Sequence, residues 1–377
     1  MKYIALCLIQ FVLLSCSEGR RSGDAYAQDT AAVALRYAEG FTITRMGDAT
    51  KVTVSYPYQG ATSGHTYLLV KEGAEVPDVP AGTAVITIPI KSIVCTSTTH
   101  IPMLDYLGET SKLTGFPTLD YISSTAMRAR IDSGKVRELG VDKAMNLELL
   151  AALKPDLVMG YSLSGDYGQF RKMEELGIPV VLNAEYLEKH PLGRAEWIKF
   201  VALFFDKLER ADSIFNQIEK AYNETRALAT QVEDRPTVLS GIVYGDAWFL
   251  PGGKNYAGRL FEDAGCRYLW ADDPSHGFLQ LAFEAVYAKA HDADLWIGVA
   301  SFGSLEEMRM ADKRYASFNA YKKGEVYTYN ARLGSKGGNE YLELGYLRPD
   351  IILKDLVKIA HPDLLPEYQL YFHKKLE

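Results

Sequence analysis

Basic residues are in the minority: 41 lysines and arginines face 48 aspartates and glutamates, a net charge of −7. An acidic chain without a lysine- and arginine-rich stretch offers no patch for a phosphate backbone, which removes nucleic acid as a partner. Cysteine is scarce as well. Of the four cysteines, Cys7 and Cys16 lie near the N-terminus, while Cys95 and Cys266 are far apart in apolar settings. No C-x-x-C spacing of the kind used by zinc or redox sites occurs, so Cys95 and Cys266 read as buried free thiols, with a single disulfide as the alternative. The glycine pairs Gly252–Gly253 and Gly337–Gly338 belong to neither a P-loop nor a G-x-G-x-x-G motif and read as turn formers. One long hydrophobic run exists, "YIALCLIQFVLLS" from Tyr3 to Ser15, and it is too short to span a bilayer comfortably.

With Lys2 ahead of it, that run has the character of a signal peptide, assigned to residues 1–15. It closes on "LLSC", which resembles the lipobox of bacterial lipoproteins and makes Cys16 the first mature, lipidated residue; a non-lipidated signal is the alternative. Residues 16–40 begin small and polar and read as a lipidated tether. The 377 residues exceed the roughly 250–300 at which single cores stop growing, so two domains are expected.

Residues 41–90 alternate ("FTITRM", "KVTVSY", "TYLLVK") and predict an N-terminal β extension, an antiparallel meander. From Lys91 the pattern changes: the β-rich runs "KSIVCT", "LVM", "PVVLN", "PTVLSGIVY", "DLWIGVA" and "EVYTYN" alternate with helical stretches. Such alternation builds parallel sheets from βαβ units. Between the third and fourth runs, residues 194–232 place Trp197, Val201, Phe204, Phe205, Leu208, Ile214, Ile218 and Leu228 near helical spacing, with a break expected near Asp206. The expected fold is α/β: two Rossmann-like lobes, residues 91–193 and 233–377, joined by a long backbone helix and preceded by the small meander.

A pattern recurs across the lobes. "MNLELLAALKPDLVMGYS" (Met145–Ser162) returns in altered form as "LAFEAVYAKAHDADLWIGVAS" (Leu281–Ser301), each a short helix followed by an Asp-Leu strand ending in glycine. Asn146 is placed to cap the first helix, with Glu148 in its opening turn and Leu147, Leu150 and Leu153 inward; Glu284 holds the matching place in the second. Acids there complement the helix dipole whatever else they do.

Ligands of open α/β sheets bind beyond the carboxyl ends of the strands. The loops there are aromatic, hydroxyl and amide in character, with the cations Arg332 and Lys336, a mixture suited to a bulky ligand held by stacking and hydrogen bonds. Tyr161, Tyr186, Trp248, Tyr256 and Tyr341 are the aromatic candidates, each with closure of its lobe's top as the alternative. Two other chemistries are weighed. Gly160–Ser164 approaches the nucleophile elbow G-x-S-x-G, making Ser162, or His100 nearby, the centre of a lipid-anchored hydrolase or chelatase; Ser164 replaces the closing glycine, however. A free zinc or manganese site needs three or four converging ligands, and only His100 lies directly at a strand end, so no metal site is assigned.

Seven segments in order carry a resemblance: "IVCTSTTHIPMLDYLG", "NLELLAALKPDLVMG", "GIPVVLNAEYLE", "WFLPGGKNYAGRLFEDAGC", "FEAVYAKAHDADLWI", "FNAYKKGEVYTYN" and "RPDIILKDLVKIAHP". Over about Lys91 to Pro362 the chain resembles the substrate-binding lipoproteins of ABC importers for iron complexes and cobalamin, whose two lobes are joined by a rigid helix. The N-terminal extension is similar to that of Bacteroidetes members. The resemblance implies no catalysis and no cofactor. It implies a monomer, lipid-anchored in the cell envelope and facing the periplasm, that takes an iron siderophore, haem or corrinoid from solution to an ABC permease and its ATPase. It implies that Glu148 and Glu284 dock on permease arginines, and that Thr98, Thr99, His100, Tyr161, Trp248, Asn330 and Arg332 face the ligand; Tyr186, Tyr256 and Tyr341 join them from the strand-end loops. Cobalamin-specific members place a tryptophan where Tyr161 stands, which weighs against cobalamin.

Overall fold

The computed structural model describes residues 30–80, 83–142 and 144–377. The expected signal peptide, Cys16 and most of the tether lie outside the described residues.

The first sheet has five strands in sequence order: Thr30–Val33, Phe41–Met46, Ala49–Val54, His65–Lys71 and Ala84–Ile88. Alternation aims Phe41 and Ile43 inward and Thr42 outward, as a sheet with one solvated face requires. Gly47 at φ 60 supplies the left-handed first position of the two-residue turn between Met46 and Ala49, where a side chain would be strained. Two details differ from the sequence expectation. Thr30–Val33, inside the expected tether, pairs with Ile43–Met46 as an edge strand. The last strand runs parallel to His65–Lys71, so the unit is a meander only through its first four strands.

Each lobe is built on a mostly parallel sheet. In the first, the order is Val180–Leu182, Leu157–Gly160, Ile93–Cys95, Leu113–Phe116 and Arg137–Glu138, all parallel. In the second, Arg267–Tyr268, Thr237–Ser240, Leu295–Ile297 and Val326–Thr328 are parallel, and Lys374–Lys375 adds an antiparallel edge. Most of these strands are short and buried on both faces, which is why they read as apolar runs rather than alternations. A small antiparallel sheet (Ile242–Tyr244, Ala247–Pro251, Phe278–Leu281) is appended to the second lobe.

The connection is three helices, Pro191–Glu196, Ile198–Leu203 and Leu208–Ala229, rather than one rod. Asp206 adopts φ 55 between the last two, a left-handed stop that aspartate tolerates better than most residues. Leu228, expected on the buried stripe, is 39% exposed. One continuous apolar core joins the N-terminal sheet, the connecting helices and both lobes. Cys95 and Cys266 are buried free thiols, and burial pushes the Cys266 thiol up to about 12.

Candidate functional site

Both lobes change winding direction beside their central strand. In the first, the tips of Ile93–Cys95 and Leu157–Gly160 flank this switch; in the second, those of Thr237–Ser240 and Leu295–Ile297 do. Such crevices are where open α/β sheets bind ligands.

At the first lobe's tips the backbone leaves Ile93–Cys95, turns through Ser97–Thr99 and enters the helix His100–Leu107. The Thr99 hydroxyl donates to the buried Glu185 carboxylate and lies 2.8 Å from the Ser97 hydroxyl. Thr98 is half-buried beside them. His100 is fully buried with neither ring nitrogen hydrogen-bonded, and burial pushes its pKa down to about 3. It therefore lies beneath the surface a ligand meets, contrary to the sequence expectation. Tyr161 is half-buried; burial, and next Asp142, push its phenol up to about 12. The Tyr186 hydroxyl donates to the Ser162 carbonyl at 2.6 Å.

In the second lobe, Tyr341 stacks on Tyr329 with ring centroids 4.7 Å apart, and burial raises its phenol well above the ordinary value. Asn330 donates its amide to the Ser301 carbonyl at 3.1 Å, leaving a buried Oδ1 without a partner. Arg332 is exposed, pairs with Glu340 at 2.9 Å and covers the Tyr371 ring. A second expectation is corrected at Trp248. Its indole is fully buried against Trp296, Tyr315 and Phe318, and its N–H is taken by the Ser240 carbonyl at 3.0 Å. This side chain is lobe core, not pocket wall.

One charged side chain joins the lobes. Arg194, at the start of the connecting helices, lies over the Tyr256 ring at 3.9 Å and the Tyr346 ring at 4.4 Å, and donates to the Tyr186 carbonyl at 2.9 Å. The buried Glu185 lies within its field, with one carboxylate oxygen unpartnered. Burial first raises the Glu185 pKa, opposed by the Thr99 hydroxyl and by Arg194. A cation lying against two tilted aromatic rings, whose centroids are 6.0 Å apart, beside a desolvated acid forms a polar-aromatic junction at the crevice, worth more here than in water. In sequence Arg194 is one charge among Glu188, Lys189, Glu196 and Lys199 at the head of the linker, and Glu185 one letter of "NAEYLE", so neither carries a local signal for this role.

Glu148 and Glu284 are exposed in the first turns of Leu147–Leu153 and Phe283–Ala290. The Asn146 side chain caps the first helix, accepting from the Leu149 N–H at 2.9 Å. Of the inward leucines Leu150 is buried, and Leu147 and Leu153 are partly so. The Ser162 hydroxyl donates to the Ser164 carbonyl, and none of the hydrogen bonds found among the described residues joins it to an imidazole. Among the described residues, no group of three or more His, Cys, Asp or Glu is arranged to hold a metal. A depression of about 530 Å³ lies away from the crevice, on the outer face of Leu208–Ala229 among Glu209, Asp212, Asn216 and Lys220.

The sequence pattern of the periplasmic binding protein family matches residues 93–333. An uncharacterised lipoprotein of Methanocaldococcus jannaschii is 26% identical over 305 residues, 77% of this chain and 70% of that one. Among solved structures, a periplasmic haem-binding protein of Roseiflexus superposes with a TM-score of 0.55 at 19% identity, over 73% of this chain and 99% of that one. An ABC transporter substrate-binding protein of Listeria monocytogenes gives 0.53 at 19% identity, over 72% and 99%.

Proposed function

Because this chain belongs to the periplasmic binding protein family, whose members bind solutes without catalysis or cofactor, we propose that it is the substrate-binding lipoprotein of an ABC importer for a metal chelate. The cargo is an iron siderophore, haem or a corrinoid. The observation that carries this reading is the Arg194 junction: two tyrosine faces at 3.9 and 4.4 Å, the acid Glu185, and Tyr161, Tyr186 and Tyr341 nearby. Arg194 covers the faces of the buried Tyr256 and of Tyr346, and the half-buried Tyr161, Tyr186 and Tyr341 around it suit a flat or ring-bearing chelate better than a small free ion. A lipoprotein relative and the solute-binding family support a place in the cell envelope, with Cys16 as the anchor and the periplasm as the side it faces.

Delivery then runs through Glu148 and Glu284, one exposed acid on each lobe, docking on permease arginines. The binding test mixes purified protein with haemin, ferrichrome or cyanocobalamin and removes free ligand by desalting. A bound chelate carries its visible absorbance through the column and quenches tryptophan; loss of all three overturns the cargo class. For docking, Glu148→Arg with Glu284→Arg leaves chelate affinity unchanged and abolishes uptake by cells. Uptake at the wild-type rate removes both glutamates from that role.

A further inference from the structure

One loop of the N-terminal sheet reaches the crevice. Residues 55–64, "SYPYQGATSG", connect Ala49–Val54 to His65–Lys71. The Tyr58 ring packs edge-on to Tyr167 with centroids 5.6 Å apart, and His65 meets the same ring at 5.4 Å. A methyl group added at Gly165 would stand 3.1 Å from the Tyr58 ring, so the loop is in close contact with the segment that follows strand Leu157–Gly160. The Gln59 backbone amide interacts with the Tyr186 hydroxyl, and Tyr186 in turn lies within the field of Tyr346 from the second lobe. Tyr186 thus joins the loop to the first lobe's strand tips.

The loop is held in that position by the rest of its sheet. The Tyr67 hydroxyl accepts from the Leu182 N–H at 3.0 Å, at the end of a first-lobe strand. Ile90 donates to the Phe204 carbonyl at 2.9 Å, and Phe41 packs on Trp197 with centroids 4.6 Å apart. The sheet shares one core with the lobe. Four side chains of the loop are exposed, Tyr56 (56%), Gln59, Thr62 and Ser63, and of these Tyr56 and Gln59 offer a ring face and an amide. No residue from 55 to 64 is charged, nor is any from 161 to 165. A surface so composed recognises ring faces and amide or carbonyl groups rather than carboxylates.

We propose that the loop Ser55–Gly64 is a third wall of the ligand site, its Tyr56 ring and Gln59 amide meeting an uncharged ring or amide portion at the outer edge of the bound chelate. This rests on the cargo reading above. It makes the N-terminal sheet a specificity element rather than a spacer.

The test titrates haemin, ferrichrome and cyanocobalamin into wild-type protein and into Tyr56→Ala with Gln59→Ala, following visible absorbance. Both side chains are solvent-facing, so thermal midpoints stay at the wild-type value. Affinity for whichever probe the wild type retains falls about tenfold, the scale of one lost stacking or amide contact. A change under about twofold overturns the wall while leaving the cargo reading intact. Arg45→Gln, at the sheet's other end, keeps wild-type affinity; an equal loss there assigns the effect to the sheet as a whole and also overturns the proposal. Retention of no probe by wild type sinks the cargo class and the wall with it.

Discussion

An imidazole sealed in apolar surroundings binds its proton far less readily than one in water, and His100, with a pKa pushed down to about 3, is such a group. The unfolded chain titrates this histidine near 6.5. Its contribution to stability is therefore fully present above about pH 6.5 and is lost as pH falls toward the folded value, because the unfolded state takes up the proton first. At pH 5 the loss amounts to about 2 kcal/mol. Urea unfolding at pH 7 and pH 5 should show that decline in the wild type and a flatter dependence in His100→Gln; equal slopes would mean the ring is solvated in the folded state. The paired Asp-Leu strands have their own residue-scale explanation. Asp156 accepts the backbone N–H groups of Lys91 and Ser92 at 2.7 and 2.9 Å. Asp294 accepts the Thr237 N–H at 2.8 Å, and the N–H groups of Asp156 and Asp294 donate in turn to the hydroxyls of Ser92 and Thr237. Each aspartate ties its strand to the start of the lobe's first strand. Asp156→Ala and Asp294→Ala should each cost about 1 kcal/mol, the net worth of such bonds near solvent. The costs should add in the double variant, since the sites share no partner; strong non-additivity in thermal midpoints would contradict independent lobes.

Among the elements, the strap Arg36–Gly40 has no regular structure of its own and depends on two buried acids of the connecting region. Glu196 accepts the N–H groups of Arg36, Tyr37 and Ala38 at 2.8 to 3.0 Å and pairs with Lys199 at 3.0 Å. Glu188 accepts the N–H groups of Glu39 and Gly40 and the Trp197 indole N–H. Glu196→Gln removes the charge that these donors converge on and leaves the buried Lys199 paired with Asp212 alone, at 2.9 Å, a loss of about 2 kcal/mol. Chemical denaturation reads it directly, and a change below about 1 kcal/mol would show the strap to be held by packing instead. This strap also shows where sequence reasoning ends. Apolar runs reveal buried parallel strands such as Leu157–Gly160, and Asn before a leucine-rich stretch reveals the cap at Asn146, because both signals are local. The stretch Arg-Tyr-Ala-Glu-Gly gives no sign that two acids 148 to 160 positions away will bind its amides. Arg137–Glu138 and Lys374–Lys375 are strands by edge pairing alone. Trp248 reads the same in sequence at a pocket rim or in a core, and only the neighbouring Trp296, Tyr315 and Phe318 decide it.

For the whole molecule, function depends on how the lobes meet and part. Beyond the Arg194 junction, the Ser123 and Ser124 amides donate to Glu343 at 2.5 and 2.9 Å, and Arg348 reaches the Tyr106 hydroxyl at 2.7 Å. The Gly334–Gly338 turn lies directly on the first lobe: a Cβ at Gly338 would stand 2.3 Å from the Tyr121 carbonyl oxygen, backbone that cannot yield without the lobes separating. Three packed helices between the lobes favour a small rocking motion over a wide hinge, so even a slight wedge at this contact should act on the ligand's exit. Gly338→Ala is that wedge. It should leave the thermal midpoint within a few degrees, since neither lobe's core is touched, and speed dissociation of a bound chelate several-fold, as interface changes act mainly on the off-rate. Stopped-flow displacement of the chelate measures this. An unchanged rate would mean that the turn rests on the first lobe without helping to hold the crevice shut.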